Sequence, residues 1–184
     1  ENNLGLAIKK GNKFRLYSRA PIFELSHSEP FGVGSVDIMK DTLYHCWYTA
    51  FTSWGTSKKL KHKYKIKYAY SIDGKKWRRR TGDCIDFEEG EYAICRPSVI
   101  YFNKMYHMVF CVRGKKYKLG YAYSYDKRNW ERNDSLLQIT NTPNSFDSKE
   151  MCYPHWFLDK NFLYLIYCGN DYGNEGIGIA RLKL

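Results

Sequence analysis

No apolar run in this chain is longer than a handful of residues, whereas a membrane-crossing helix needs about 20. No charged segment followed by an apolar one opens the sequence, so no signal peptide is read in it. None of the six cysteines forms a Cys-x-x-Cys pair, which removes a common zinc-ligand spacing, and neither a metal nor a cofactor is expected. Cys46, Cys111 and Cys168 fall inside apolar, strand-like runs at near-equivalent places in separate repeats, where cysteine acts as a small buried hydrophobe. Reduced thiols of this kind predict a cytoplasmic protein. No segment shows the 3.6-residue periodicity of an amphipathic helix. What is present excludes disorder, because hydrophobic residues make up 43% and aromatic residues 17% of the sequence. The 184 residues carry a net charge of +11. That charge suits either a soluble basic surface or an acidic partner: a phosphorylated or uronic sugar, an anionic glycan, or nucleic acid.

The chain repeats itself. Tyr68–Trp77 reads YAYSIDGKKW and returns as YAYSYDKRNW at Tyr121–Trp130, with shorter echoes at Leu6–Phe14 and Gly178–Leu182. Repeats of this length built from short strands predict an all-β fold, a β-propeller of four-stranded antiparallel blades. In the first full repeat the strands fall at Val36–Met39, Leu43–Thr49 and Ile66–Ser71, with a fourth from Trp77. The second gives Ser98–Phe102, Met105–Cys111, Leu119–Ser124 and a strand from Trp130; the third gives His155–Leu158, Phe162–Cys168 and Ile177–Leu182. The predicted single domain divides into a blade remnant over 1–27 and blades over 28–88, 89–140 and 141–184. The Asp73-Gly74 step is read as a two-residue hairpin turn. About three and a half blades are too few for a five-bladed ring. Further N-terminal blades, closure of the terminal strands into a smaller ring, or self-association would complete it.

In a propeller the loops entering each inner strand share one face with the loops joining the second and third strands. The entering segments hold Glu29, Glu91, Asp147 and Glu150. Glu29 lies six residues before Ser35 and Glu91 six before Pro97, so both are expected to aim at one region as an acid/base pair, with Glu150 as a third carboxylate. The other reading makes them loop carboxylates that neutralise nearby lysines. The second set of loops brings Lys58, Lys59, Lys61, Lys63, Arg113, Lys115 and Lys116. With Arg96 they make an anion site, since guanidinium forks fit carboxylate or phosphate; an exposed charged loop is the alternative. His155, Asp147, Asn170 and Asp171 are expected among the substrate-binding residues. Trp54, Tyr92, Tyr153 and Tyr172 offer rings for stacking on sugars.

The segments Lys67–Trp77, Arg96-Pro-Ser-Val, Tyr153-Pro-His and Gly178–Leu182 together resemble the five-bladed β-propeller glycosidase superfamily of arabinanases, levansucrases and invertases. The sequence looks like the C-terminal three blades of glycosidase-related proteins from bacterial surface-polysaccharide gene clusters. The Ser71–Trp77 turn is similar to the Asp-box of sialidases, a fold element. The resemblance implies an acidic residue just before the proline that opens an inner strand. Here the corresponding positions are Gly34 (with Ser35 for proline), Arg96 and Tyr153, and none is acidic.

Two functions follow. The first is a glycosidase-like protein acting on an anionic or phosphorylated glycan, by hydrolysis, transfer or phosphorolysis. The second is a non-catalytic glycan-binding or scaffold propeller. Nucleic-acid binding has the charge but no recognised module.

Overall fold

The computed structural model describes residues 2–56 and 61–184, so Lys58 and Lys59 of the basic loop lie outside the described residues. A two-stranded hairpin, β1 (Ala7–Lys10) with β2 (Lys13–Leu16), comes first. The next sheet elements are β3 (Val33–Lys40), β4 (Tyr44–Ser53), β5 (Lys63–Ser71) and β6 (Arg78–Arg79). They are followed by β7 (Ala93–Phe102), β8 (Met105–Arg113), β9 (Tyr117–Ser124) and β10 (Glu131–Arg132). The last sheet is β11 (Cys152–Asp159), β12 (Phe162–Cys168) and β13 (Ile177–Lys183). Each set is an antiparallel meander, and one parallel pair, Tyr64 with Ala93, links β5 to β7. The architecture is that of successive propeller blades. Among the described residues there is no α-helix and no helix long and apolar enough to cross a membrane.

Alternation explains the stacking. One face of the β7–β9 sheet presents Val99, Met108, Phe110 and Ala122 to Trp47, Ile66 and Tyr68 of the preceding blade. The opposite face presents Ile100, Val109, Leu119 and Tyr121 to Trp156, Leu165 and Tyr167 of the following one. Each strand thus buries both its odd and its even residues, as a middle sheet must. Strand registers make Phe157, Ile166, Ile177 and Ile179 the equivalents of Ile100, Val109, Leu119 and Tyr121. In the last blade this face is uncovered, and Ile177 and Ile179 are 65% and 68% exposed.

Two repeated details shape the centre. Gly120 and Gly178 lie opposite Phe110 and Tyr167 in their ladders. A Cβ at either glycine would come within 2.3 Å of that ring, so the missing side chain is what lets the aromatic lie across the strand. Each inner strand also carries a bulge, at Gly34/Val36, Cys95/Ser98 and Cys152/His155. Its first residue is left-handed in all three cases: Ser35 (φ 41°), Arg96 (φ 55°) and Tyr153 (φ 52°).

The registers correct three sequence expectations. Ser35, rather than Gly34, is the equivalent of Arg96 and Tyr153. Cys111 and Cys168 are equivalent to Thr49, whereas Cys46 sits three residues earlier and packs in another cluster. The Asp73-Gly74 step is not a two-residue hairpin, since residues 72–77 connect β5 to β6. There Ser71 and Asp73 accept backbone N–H bonds, as Ser124 and Asp126 do in the next blade.

Candidate functional site at the propeller mouth

The bulges hold three unlike side chains in one backbone conformation that few non-glycine residues adopt. At two of them the local N–H is bonded to the preceding blade. Arg96 donates its N–H to Thr49 Oγ1 at 3.3 Å, and Tyr153 donates its N–H to Cys111 Sγ at 2.8 Å. Each acceptor belongs to the preceding blade at the same ladder position. Two residues beyond each bulge, a second relay ties neighbouring inner strands. Asp37 Oδ2 accepts the Val99 N–H, and Ser98 Oγ accepts the Trp156 N–H at 3.2 Å. Burial raises the Asp37 carboxyl pKa, with the Val99 N–H bond opposing the rise. His155 sits at the equivalent position, exposed, with Nδ1 3.1 Å from Ser98 Oγ.

The bulge residues border a cavity of about 670 Å³. Ser35, Arg96 and Tyr153 line it, together with Thr49, Tyr64, Arg113 and Tyr117. The Arg96 guanidinium lies over the Tyr153 ring, 4.5 Å from its centroid. Arg113 stacks on Tyr117 at 5.0 Å and donates to its hydroxyl at 3.4 Å. The Tyr64 and Tyr117 hydroxyls are 2.9 Å apart. Tyr172 continues this aromatic wall, nearly parallel to Tyr153 at 5.9 Å and edge-on to Tyr117 at 5.7 Å. Burial pushes the Tyr153 phenol up to about 12, so it stays neutral at ordinary pH. No Asp or Glu is among the described residues that line the cavity. Arg96 and Arg113 therefore put two positive charges at a polar opening lined by no carboxylate among the described residues.

The carboxylates read from spacing go elsewhere. Glu29 is 1% exposed; it accepts from the Tyr48 hydroxyl at 2.8 Å and pairs with Arg79 at 3.3 Å and Lys67 at 3.5 Å. Glu91 is gripped by both Arg132 Nη atoms at 2.7 and 2.8 Å, with Lys118 at 3.0 Å and the Glu88 N–H at 2.9 Å. Burial pushes the Glu91 carboxyl pKa up, but the Arg132 fork, the Glu88 N–H and Lys118 together outweigh this and hold it at about 2. Asp147, rather than Glu150, is the third member of this set: fully buried, it accepts from the Tyr167 hydroxyl at 2.9 Å and from Thr142. The expected convergence of Glu29 and Glu91 on one ligand is thus replaced by separate ion pairs behind the inner strands.

Glu150 accepts from the N–H of the cavity residue Tyr117 at 3.4 Å and from the Asp171 N–H at 3.1 Å. Asn170 is buried and organises this loop, accepting from the Lys149 and Glu150 N–H groups and donating to Glu175. Asp171 is exposed beside it. Trp54 packs against His62, a cavity residue, at 3.9 Å between ring centroids. Lys61 lies over Tyr92 at 5.2 Å. Glu88, Glu91 and Asp134 come together elsewhere, with Arg132 and Lys118 paired to all three. Ser35, Thr49, Tyr64 and Tyr117 were not singled out from sequence. The signal for two of them was the repeat itself, since Tyr64 and Tyr117 are 53 residues apart, as are Tyr68 and Tyr121.

No protein-family model matches the sequence. An uncharacterized protein of Mycobacterium tuberculosis (strain H37Rv) is 32% identical over 187 residues, covering 100% of this chain and 62% of the relative. Its counterpart in strain CDC 1551 gives the same figures, so the chain spans 62% of the length of these curated relatives. Among solved structures, BT0996 in complex with RGII superposes with a TM-score of 0.76 at 20% identity, over 98% of this chain and 56% of that one. A thermostable family-43 glycoside hydrolase gives 0.69 at 15% identity, over 93% and 59%. Sucrose-6-phosphate hydrolase from Lactobacillus gasseri gives 0.68 at 13%, over 86% and 32%. The likeness is one of fold: the chain has a β-propeller fold like that of these glycoside hydrolase structures.

Proposed function

We propose that this chain is a carbohydrate-active propeller of the glycosidase type whose mouth binds an anionic glycan, one bearing carboxylate or phosphate groups. The observation that carries the reading is the pairing of Arg96 and Arg113 with tyrosine faces around a cavity lined by no acid among the described residues. A guanidinium fork matches the two oxygens of a uronate or the oxygens of a phosphate. The faces of Tyr153 and Tyr172 suit the C–H side of a sugar ring. The net charge of +11 adds long-range attraction for such a polymer. The complex of BT0996 with RGII lends support to a carbohydrate ligand on this fold. A cytoplasmic location is proposed with it, from six cysteines that are all unpaired thiols.

Binding without turnover is the reading the geometry favours. Glycoside hydrolysis in its common form needs two carboxyl groups about 5 to 9.5 Å apart across the scissile bond. Glu29, Glu91 and Asp147 are consumed by structural partners, which leaves, of the four, Glu150, an acceptor for the N–H of the cavity residue Tyr117. Calorimetric titration with a trigalacturonate, its methyl ester, a phosphorylated mannose oligosaccharide and a neutral maltotriose tests the proposal. The charged sugars are expected to bind at least about tenfold more tightly than the neutral ones, and Arg96→Ala to cost about 10- to 100-fold, the worth of a charged hydrogen bond. Equal affinity for charged and neutral sugars, or unchanged binding by Arg96→Ala, would overturn it. Release of reducing ends from the trigalacturonate, lost in Glu150→Gln, would move the protein to the hydrolytic reading.

A further inference from the structure

The ladder sets two cysteine pairs at one position of successive blades. Cys95 is the direct cross-strand partner of Cys111, and Cys152 of Cys168. In the first full blade the same pair is Gly34 and Thr49. Cross-strand partners in an antiparallel pair have Cα atoms about 4.5 to 5.5 Å apart, inside the range a disulfide spans. All four cysteines belong to one cluster beneath the mouth, with Tyr64, Tyr117 and Tyr153. The two pairs differ in access. Cys111 is fully buried and its sulfur accepts the Tyr153 N–H at 2.8 Å, while Cys95 is nearly buried. Cys168 is partly exposed, and its partner Cys152 is fully buried.

We propose that Cys152 and Cys168 form a dithiol site that hydroperoxides oxidise to a disulfide, with Cys168 as the attacked thiol and Cys152 as the resolving one. The Cys168 thiolate attacks a peroxide oxygen; an S–O bond forms, the O–O bond breaks, and the released hydroxide leaves as water after taking a proton. Cys168 is then a sulfenic acid, oxidised by two electrons. The Cys152 sulfur attacks it; the S–S bond forms, the S–O bond breaks, and the Cys152 proton departs with the oxygen as a second water. In sum two thiols and one hydrogen peroxide give one disulfide and two waters. Burial pushes the Cys152 thiol up to about 12, which suits a group that waits for an electrophile beside it rather than meeting the oxidant first. The bond would tie β11 to β12 at the residue preceding Tyr153, directly under the mouth.

The test treats the reduced protein with hydrogen peroxide, blocks remaining thiols with N-ethylmaleimide, and maps peptides without reduction. The expected result is a linked Cys152–Cys168 peptide lighter by two hydrogens. Cys46, Cys84, Cys95 and Cys111 should still be recovered as maleimide adducts. Cys152→Ser is expected to leave Cys168 as a sulfenic acid trapped by dimedone, and Cys168→Ser to abolish both products. Because a serine variant can misfold, circular dichroism of each is recorded, and the wild-type mapping stands alone as a test. Maleimide on all six cysteines after peroxide, or Cys168 paired elsewhere, or overoxidised with Cys152 still free, would overturn the assignment. Sugar binding at the mouth is not used as a readout, so failure here leaves the glycan proposal standing.

Discussion

Arg132 and Arg96 belong to the same blade, and they meet opposite fates. Arg132 is 10% exposed along its side chain, locked in a two-pronged pair with Glu91 and bonded also to Asp134. Arg96 lies on a tyrosine face at the cavity, with no acid among the described residues lining that space. The first arginine completes the fold. The second carries the charge on which the proposed anion binding rests. The same division separates the carboxylates from the mouth: Glu29, Glu91 and Asp147 brace the loops that enter the inner strands, and the bulge residues just beyond them face the opening. A charged residue in a propeller loop is therefore judged by what it already holds.

Three experiments press on that contrast. The largest effect belongs to Glu91→Gln, which takes from the buried Arg132 its two-pronged partner and leaves it Asp134 and the more distant Glu88; it should cost about 3 kcal/mol of folding stability, read by urea denaturation. A change within about 0.5 kcal/mol, as at an ordinary surface site, would show that Glu91 is free for other work. The next is a pH effect. The Glu91 carboxyl is held at about 2 against an ordinary 4.5. Its folded value is depressed, so its contribution is complete above 4.5 and is lost as pH falls from 4.5 toward 2. The native protein should lose stability more steeply than Glu91→Gln across that window; parallel curves would refute the ion pair. Asp73 and Asp126, also held near 2, titrate in both proteins and cancel. The smallest expected effect is that of Arg96→Ala on stability, within about 0.5 kcal/mol, measured in the same denaturation series. A loss approaching that of Glu91→Gln would place Arg96 among the bracing residues.

Much of the fold was legible because the repeat writes it down. The YAYS segments, the Ser–Asp turns and the closing tryptophans fix where the third strands of two blades end. The four-strand count of each full blade follows from alternating apolar residues between polar turns. Arg96, Tyr153 and Tyr172 were readable at the mouth from the same arithmetic. The roles of Glu29 and Glu91 were not, because their partners come from distant strands: Tyr48, Lys67 and Arg79 for one, Lys118 and Arg132 for the other. The spacing was counted from Ser35 in one blade and from Pro97 in the other, which are different ladder positions, and it says nothing of which way a side chain turns. Counting back from proline also mistook Gly34 for the equivalent of Arg96 and Tyr153, because the first full blade replaces that proline with Val36. The cysteine pairs escaped notice for a related reason. Pairing across a ladder depends on register, and the bulge shifts it by one.

The bulge has one more consequence. At Arg96 and Tyr153 its shape is held from outside, by a backbone N–H reaching into the neighbouring blade rather than by the side chain. Serine, arginine and tyrosine occupy it in turn without altering the backbone around them. Such a position is an exchangeable tooth on a fixed wheel: new chemistry can be introduced one residue at a time, and the wheel need not be recut.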